Sequence, residues 1–294
     1  MTEFGNLVLS GLTSGAIYAV LAVCLALWFR VANMLNLAAG DFAMIGALGV
    51  DLLARVHGWN LGLAIVTVLA VIALIGLVYD LIVLRIAVDW GRAREGIVAI
   101  FFFTFALSFV LEGVAQQVFG TVVHAAPALW PGNALDLHGL HVQRAGLLVI
   151  GFAVLVGAGL ALCLRFTLVG KAMAACGENA IGARIVGIDS RRFRRGIFVL
   201  TAVLAGTFGI LGSPITGFVY NSGAGLSLSG VVAAAFAGFT RPGRAVLAGL
   251  AIGLLEAFLS GYVSTAYGET LLYGVLAAVM LFRPQLMGLP EVAH

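Results

Sequence analysis

The chain has 294 residues, of which 62% are hydrophobic and only 10% are charged, and its formal net charge is +3. This composition excludes an ordinary water-soluble globular protein, because too few polar side chains are available to cover a surface in contact with water. We therefore expect a protein that crosses the membrane several times. The small positive charge fits contact with anionic lipid and gives no reason to expect a nucleic-acid partner.

A helix needs about 20 mainly apolar residues to cross a membrane. Nine segments approach or exceed this length, and no soluble block larger than a loop separates them, so residues 1–294 are predicted to form one all-helical membrane domain. The seventh and ninth segments are short, which predicts that one of them is re-entrant or broken and that eight or nine helices cross. The segments cover residues 6–29, 33–54, 60–84, 97–118, 145–164, 196–218, 226–239, 245–264 and 269–283.

The distribution of Lys and Arg predicts the orientation of these helices, because positive charge near short loops is retained in the cytoplasm. If the N-terminus lies outside, every Lys and Arg except Arg55 and Arg144 falls in an inner loop. The start of the chain lacks the basic region of a signal peptide. We therefore expect the first segment to remain as a helix, with the N-terminus in the periplasm and the C-terminus in the cytoplasm.

Polar residues and glycines interrupt two of the apolar segments. The interruptions at residues 33–41 and 213–230 predict helices that break at membrane depth, which is tolerated where the backbone lines a cavity or is buried in protein. The Gly249 and Gly253 pair lies inside an unbroken segment, and its four-residue spacing is typical of closely packed membrane helices.

Two loops are long enough to have structure of their own. Residues 119–144 form the largest predicted periplasmic loop, whose prolines and tryptophan favour a short hairpin at the membrane surface. Residues 165–195 form a basic, polar island on the predicted cytoplasmic side, which is too long for a simple tether. Within it, Glu178 and Asn179 are suited to begin a helix and Gly187 to end one.

The island admits two interpretations, which are not exclusive. Ile181, Ile185 and Ile188 would give a partner protein an apolar edge to dock on. Alternatively, the island helix lies on the inner membrane surface, and residues 191–195 pair with lipid phosphates.

Carboxylates inside a membrane are energetically costly and are therefore functional candidates. Asp41, Glu112 and Glu256 are the deepest in the predicted segments. Asp41 either caps a half-helix or lies on a solute pathway. Glu112 and Glu256 either face such a pathway or form hydrogen bonds between helices.

Four blocks of sequence carry a resemblance to a known family. Residues 11–19 read Gly-Leu-Thr-Ser-Gly-Ala-Ile-Tyr-Ala, and residues 36–42 read Asn-Leu-Ala-Ala-Gly-Asp-Phe. Together with residues 170–189, 225–243 and 255–285, they resemble the permease subunits of branched-chain amino acid importers of the ATP-binding cassette (ABC) class. The resemblance is to the smaller, LivH-like permease, whose signature is Asn-Phe-Ala-His-Gly-Asp-Phe.

This resemblance implies a partner set and a fold. The implied importer contains a second permease subunit, expected to form a heterodimer although a homodimer remains open, and two cytoplasmic ATPase subunits that bind ATP and Mg²⁺. A periplasmic substrate-binding protein delivers the solute. The permease itself binds no cofactor, lies in the bacterial inner membrane and is expected to have the fold of the vitamin B12-type (type II) importers.

The resemblance also assigns candidate residues. The island becomes a coupling helix that docks into a groove on the ATPase. Its candidate coupling residues are Gly170, Lys171, Glu178, Asn179, Ala180, Ile181, Gly182, Ala183, Arg184, Ile185, Gly187, Ile188 and Asp189. Weak, dispersed polar contacts suit a permease that must release what it admits. The candidate pathway residues are Thr13, Ser14, Asn36, Asp41, Glu112, Tyr220 and Glu256, for which ordinary hydrogen bonding between helices is the alternative.

The chain departs from the family pattern at two positions. Ala39 stands where the family commonly has His, and Ser227 or its neighbour stands where a Lys is common. The expected solutes therefore extend from branched-chain amino acids to a related carboxylate, amide, urea-like or aromatic solute.

Other classes of function are less well supported. The main alternative is an ion-coupled secondary transporter in which an intramembrane carboxylate titrates, and a lipid-modifying membrane enzyme is a third. The sequence has no phosphate-binding loop of the P-loop type. The pair His138 and His141 lacks the further ligands of a zinc site. We therefore expect a transport subunit with no metal and no catalytic residues.

Overall fold

The fold is described from a computed structural model of the chain, in which residues 2–32, 34–84, 93–132, 135–137, 140–239, 242–263, 270, 273–274 and 277 are described. These residues form ten α-helices and one short hairpin. The helices are α1 (Thr2–Ala32), α2 (Ala39–Asp51), α3 (Leu61–Tyr79), α4 (Ala93–Phe119), α5 (Arg144–Phe166), α6 (Leu168–Glu178), α7 (Ala180–Ile185), α8 (Ser190–Thr216), α9 (Ser222–Ala237) and α10 (Pro242–Tyr262). Two π-helical turns, Leu52–Val56 and Asp80–Leu84, continue α2 and α3.

Six of the described helices are long and apolar enough to cross a membrane, which confirms a multi-pass protein. They are α1, α3, α4, α5, α8 and α10, and they coincide with six predicted segments. The second predicted segment, residues 33–54, contains the break predicted at residues 33–41. Residues 34–38 are not helical, and helical structure begins at Ala39 and continues to Val56. The ninth predicted segment lies largely outside the described residues.

Helix α1 forms the centre of the bundle. It packs against α10, α9, α8 and α5, and its Trp28 and Leu21 are fully buried. A helix that is apolar on all sides is typical of such a central position. In contrast, α3 exposes Leu63, Val66 and Leu74, which face outward as expected for contact with lipid chains.

Helices α1 and α10 approach each other through glycines on both sides. A Cβ atom on Gly15 would lie 2.8 Å from the Cα of Leu250, and one on Gly253 would lie 2.7 Å from the carbonyl oxygen of Gly11. The structure confirms that Gly249 and Gly253 serve close packing, as their spacing predicts.

One end of the bundle carries the loop that follows α4. His124 pairs with Phe218 through two backbone hydrogen bonds of 2.8 and 2.7 Å, and Ala126 N donates to Ser213 Oγ at 2.9 Å. These bonds attach the loop to the end of α8. The predicted hairpin is present as β1 (Leu135–Leu137) and β2 (Leu140–Val142), which pair in antiparallel register.

The opposite end carries α6, α7 and the start of α8. Gly177 of α6 lies against the carbonyl oxygen of Arg30 at the end of α1, and Arg195 of α8 pairs with Asp80 at 2.9 Å. Most of the described basic residues therefore gather at this end. Arg55 and Arg144 lie at the other end, beside the loop.

Candidate functional site

Two helix starts meet inside the bundle, at the two breaks that the sequence predicts. Ser227 Oγ of α9 accepts a hydrogen bond of 2.8 Å from Gly40 N at the start of α2. The same hydroxyl donates to Leu37 O at 2.5 Å, while Asn36 Oδ1 accepts from Ala38 N at 3.1 Å. Side chains thus satisfy the backbone groups that the break in α1–α2 leaves without a helical partner.

The glycines at this junction are required by the closeness of the two helices. A Cβ atom on Gly40 would lie 2.6 Å from Ser227 N, and one on Gly223 would lie 2.8 Å from the Cα of Asp41. At Gly40 the blocking atoms include backbone atoms of Gly223 and Ser227, so a side chain there would force the helices apart, whereas at Gly223 they include the carboxylate of Asp41.

Asp41 and Glu112 bring negative charge to this junction. Asp41 is fully buried beside Ser108 of α4, and neither of its carboxylate oxygens has a hydrogen-bond partner of ordinary geometry among the described residues. It therefore does not cap α2, whose N-cap is Ala38. Glu112 of α4 lies beside the backbone N–H of Ala224, in the first turn of α9. Glu112 thus stabilises the positive end of that half-helix.

Two adjoining cavities form a cleft along α1, which we call the α1 cleft. Their volumes are about 210 and 390 Å³. The smaller cavity lies between α1, α5 and the end of α8, and the larger between α1, the α8–α9 turn, α9 and α10. Both are lined by Ser14, Ile17 and Thr216, so they lie next to each other.

Polar groups are spread along the walls of the α1 cleft. They come from hydroxyl and amide side chains, with a single carboxylate. These residues are Asn6, Ser10, Thr13, Ser14, Gln143 and Thr216 around the smaller cavity, and Ser14, Tyr18, Thr216, Ser222, Ser229 and Glu256 around the larger.

The structure divides the predicted pathway residues into two groups. Thr13, Ser14 and Glu256 line the α1 cleft. The others do not. Asn36, Asp41 and Glu112 lie at the α2–α9 junction, and Tyr220 packs in the apolar cluster formed by Met44, Leu48, Ala115 and Phe218.

Sequence reasoning missed several polar residues of the cleft. Three of them are isolated hydroxyl or amide groups within or beside apolar segments: Asn6, Ser10 and Thr216. Such groups are common between packed helices, so the sequence alone does not indicate that they line a cavity. Ser229 had a detectable signal, because it alternates with Ser227 in the break at residues 213–230.

The predicted coupling element folds as two helices, α6 and α7. Thr167 Oγ1 accepts from Gly170 N at 3.2 Å at the start of α6, and Asn179 Oδ1 accepts from Gly182 N at 2.8 Å at the start of α7. The expectation that Glu178 also begins a helix is wrong, because Glu178 is the last residue of α6. The alanines that precede Glu178 are strong helix formers, so α6 continues through them to Glu178.

The end of α7 agrees with the predicted stop signal, and a side-chain cap begins α8. Gly187 has a φ of +87°, a conformation that favours glycine and ends α7. Asp189 Oδ1 accepts hydrogen bonds from Arg191 N at 3.1 Å and Arg192 N at 3.2 Å and so caps α8. The N–H of Arg192, followed by that of Arg191 and the charges of Arg192 and Arg184, holds the pKa of Asp189 below its usual value.

An apolar edge is exposed after α7. Ile185 and Val186 are 82% and 73% exposed, whereas Ala183 is buried and Ile188 is half-buried. Arg184, which precedes Ile185 in the chain, is exposed, and so is Lys171 of α6. The side chains of Ala180 and Ile181 lie outside the described part of the structure.

A buried charge cluster joins the coupling element to the membrane helices. Asp80, 1% exposed, lies 2.9 Å from Arg195 Nε and 3.6 Å from Arg194 Nε. It therefore ties the end of α3 to the start of α8. The described residues contain no group of three or more His, Cys, Asp and Glu side chains that could hold a metal ion.

Comparison with known proteins identifies the family. Residues 7–282 match the family described as "Branched-chain amino acid transport system / permease component". The chain belongs to this family. This confirms the LivH-like resemblance and makes the protein a multi-pass permease of the inner membrane.

Individual relatives agree with this assignment of the permease. It is 28% identical to BraD of Pseudomonas aeruginosa, a high-affinity branched-chain amino acid transport system permease protein, over 96% of this chain and 95% of BraD. It is 26% identical to LivH of Escherichia coli over the same shares of each chain. Among solved structures, PsaBC from Streptococcus pneumoniae in complex with Fab covers 93% of the permease and 90% of its own chain, with 15% identity and a TM-score of 0.49.

Proposed function

We propose that the permease is the membrane subunit of an ATP-driven importer for branched-chain amino acids or a related small polar or amphipathic solute. The observation that carries this proposal is the α1 cleft. Its larger cavity, about 390 Å³, falls in the range of about 300–1,000 Å³ that is typical of small-molecule sites. Its scattered hydroxyl and amide groups suit a solute that binds weakly and is released.

The energy source is ATP hydrolysed by two ATPase subunits, which bind ATP and Mg²⁺ and dock on α6 and α7. The exposed edge at Ile185 and Val186 offers these subunits an apolar contact, and the exposed Arg184 adds a positive charge next to it. The caps at Thr167, Asn179 and Asp189 support the proposal, because they hold the element in a fixed shape.

The orientation follows from the separation of charge between the two ends of the bundle. The end that carries α6, α7 and the Asp80 cluster holds most basic residues and faces the cytoplasm. The loop with the hairpin then faces the periplasm and a substrate-binding protein, and the N-terminus lies outside.

The permease pairs with a second permease subunit, as a heterodimer of the vitamin B12-type fold with eight or nine crossing helices. The α1 cleft supports this arrangement, because it has walls from α1, α5, α9 and α10 but is partly open. A second subunit would close the open side and complete a pathway.

The docking proposal is tested by changing the exposed apolar edge. Ile185→Asp should abolish co-purification of ATPase subunits with the tagged permease from native membranes in mild detergent. Val122→Asp is the matched control, since Val122 is also an exposed aliphatic residue, 67% exposed, but lies at the other end of the bundle. Retention of the ATPase by both variants would contradict docking at α7.

One observation favours a second candidate function, ion-coupled transport. Asp41 is a fully buried carboxylate with no hydrogen-bond partner of ordinary geometry among the described residues, and such groups occur in proton and sodium pathways. Uptake by the permease alone in liposomes without ATP, driven by a proton or sodium gradient and lost in Asp41→Asn, would establish this function in place of the importer.

A further inference from the structure

Among the described residues, the charged side chains that line the α1 cleft are only acidic. Glu256 is the only carboxylate that lines it, and no Lys, Arg or His lines either cavity among the described residues. Every other polar group there is a neutral hydroxyl, amide or backbone group. A solute that enters the larger cavity therefore meets one acidic side chain and no basic one among the described residues of its walls.

The position of Glu256 follows from the packing of α10. Gly249 and Gly253 lie against α1, and Glu256 is three residues further along, on the same face of the helix. This face turns the carboxylate toward Ser14 and Ile17 of α1, which line the same cavity.

Two nearby sources of positive charge are already engaged. The start of α9, which would attract an anion, receives the carboxylate of Glu112 at the backbone of Ala224. Arg144 follows Gln143 at the rim of the smaller cavity, but its guanidinium lies over the ring of Trp130, 5.6 Å from the centroid. Neither Ala224 nor Arg144 is among the described residues that line the two cavities.

We infer that Glu256 gives the α1 cleft a charge preference and so determines which class of solute passes. Solutes that present an ammonium group or amide N–H groups to Glu256, with an aliphatic part against Ile17 and Leu226, are admitted. Solutes with a net negative charge are excluded, because their carboxylate would approach a like charge with no cation among the lining residues. As a statement about transport, this charge preference rests on the proposed function. It excludes simple carboxylates from the range of solutes that the sequence predicts.

The charge preference can be measured without transport, through the rate at which a thiol in the cleft reacts with charged reagents. Gly225 lines the larger cavity, and a Cβ atom added there would have nothing within 4 Å, so Gly225→Cys places a thiol in the cavity without a clash. Cys24 and Cys176 are buried, so only the partly exposed Cys163 is replaced, by Ser. The full chain in nanodiscs is treated with a trimethylammonium thiosulfonate or a sulfonate thiosulfonate.

With Glu256 present, the cationic reagent should react faster than the anionic one, relative to a free thiol in solution. Glu256→Gln should lower this rate ratio about tenfold, as expected for removal of one nearby charge from a partly hydrated cavity. Val122→Cys, in the loop at the end of the bundle, should give a ratio that does not depend on Glu256.

Each outcome decides the inference. The inference is wrong if Glu256→Gln leaves the ratio of the two reaction rates at Gly225→Cys unchanged. It is also wrong if neither reagent reaches the thiol. A ratio that falls supports it even if no ATPase co-purifies with the permease, so that failure of the importer proposal remains distinguishable. In the assembled importer, Glu256→Gln should then reduce uptake of an amino-bearing solute while ATPase co-purification is retained.

Discussion

The close approach of α1 and α10 makes a quantitative prediction for Gly253→Ala. The new methyl group would lie 2.7 Å from Gly11 O, and ordinary contact begins at 3.4 Å, so the helices must separate by at least 0.7 Å. The backbone N and Cα of Gly15 lie closer still. Because all of these atoms belong to the backbone, no side chain can move aside.

The expected size of the effect is the difference between two opposing contributions. Alanine stabilises a helix by about 1 kcal/mol relative to glycine. Overpacking costs about 1–3 kcal/mol, and a clash with backbone on the central helix lies at or above the upper end of this range. We therefore expect Gly253→Ala to lower the free energy of unfolding by about 2 kcal/mol, which thermal unfolding of the purified permease in detergent would detect.

The matched control lies in the same helix. Gly243 is exposed in the first turn of α10, with nothing within 4 Å of its added Cβ, so Gly243→Ala should leave the melting temperature unchanged or raise it slightly. Opposite signs for the two variants are the expected result. Equal melting temperatures for Gly253→Ala and Gly243→Ala would refute the reasoning, because they would show that α1 and α10 do not meet at this glycine.

Three further predictions concern polar groups. Asp80→Asn leaves Arg194 buried without a counter-charge and should destabilise the permease by about 3 kcal/mol in the same melting assay, at the low end for buried pairs because Arg195 is one-third exposed. Ser227→Ala removes the partner of Gly40 N and Leu37 O and should cost about 1–3 kcal/mol, whereas Ala at the exposed Ser10 should cost nothing measurable. The lowered pKa of Asp189 means that its cap stabilises α8 above the usual aspartate pKa and is lost only as pH falls through the lower folded value. The protection of the Arg191 and Arg192 amides against hydrogen exchange, relative to their intrinsic rates, should therefore fall in acid in wild type but show no such step in Asp189→Asn.

The features that sequence patterns predicted are local ones. The breaks near Asn36 and Gly223, the close packing of Gly249 and Gly253, and the helix start at Asn179 each depend on a few neighbouring residues whose conformational preferences are known. The predicted helix start at Glu178 was wrong. A residue type that can begin the next helix directly follows residues that favour continuing the previous one.

The features that sequence did not predict join residues far apart along the chain. Ser227 and Gly40 are separated by 187 positions, and Arg195 and Asp80 by 115. Asp51 also pairs with His124, 2.8 Å away and 73 positions later. A lone sequence shows that Asp51 and Asp80 lie near the ends of apolar segments, but it does not show which basic residue meets each of them.

Helix α8 connects the two proposed functional regions of the permease. Its first two turns are held by Asp189 and by the Asp80 cluster, next to the proposed coupling element, and its last residue, Thr216, lines both cavities of the α1 cleft. As an α-helix of 27 residues, it is about 40 Å long. Pro214 interrupts its hydrogen bonding only in the final turn, beside the cleft. If the proposed function holds, α8 is therefore the described element along which a displacement of α6 and α7 would reach the cleft.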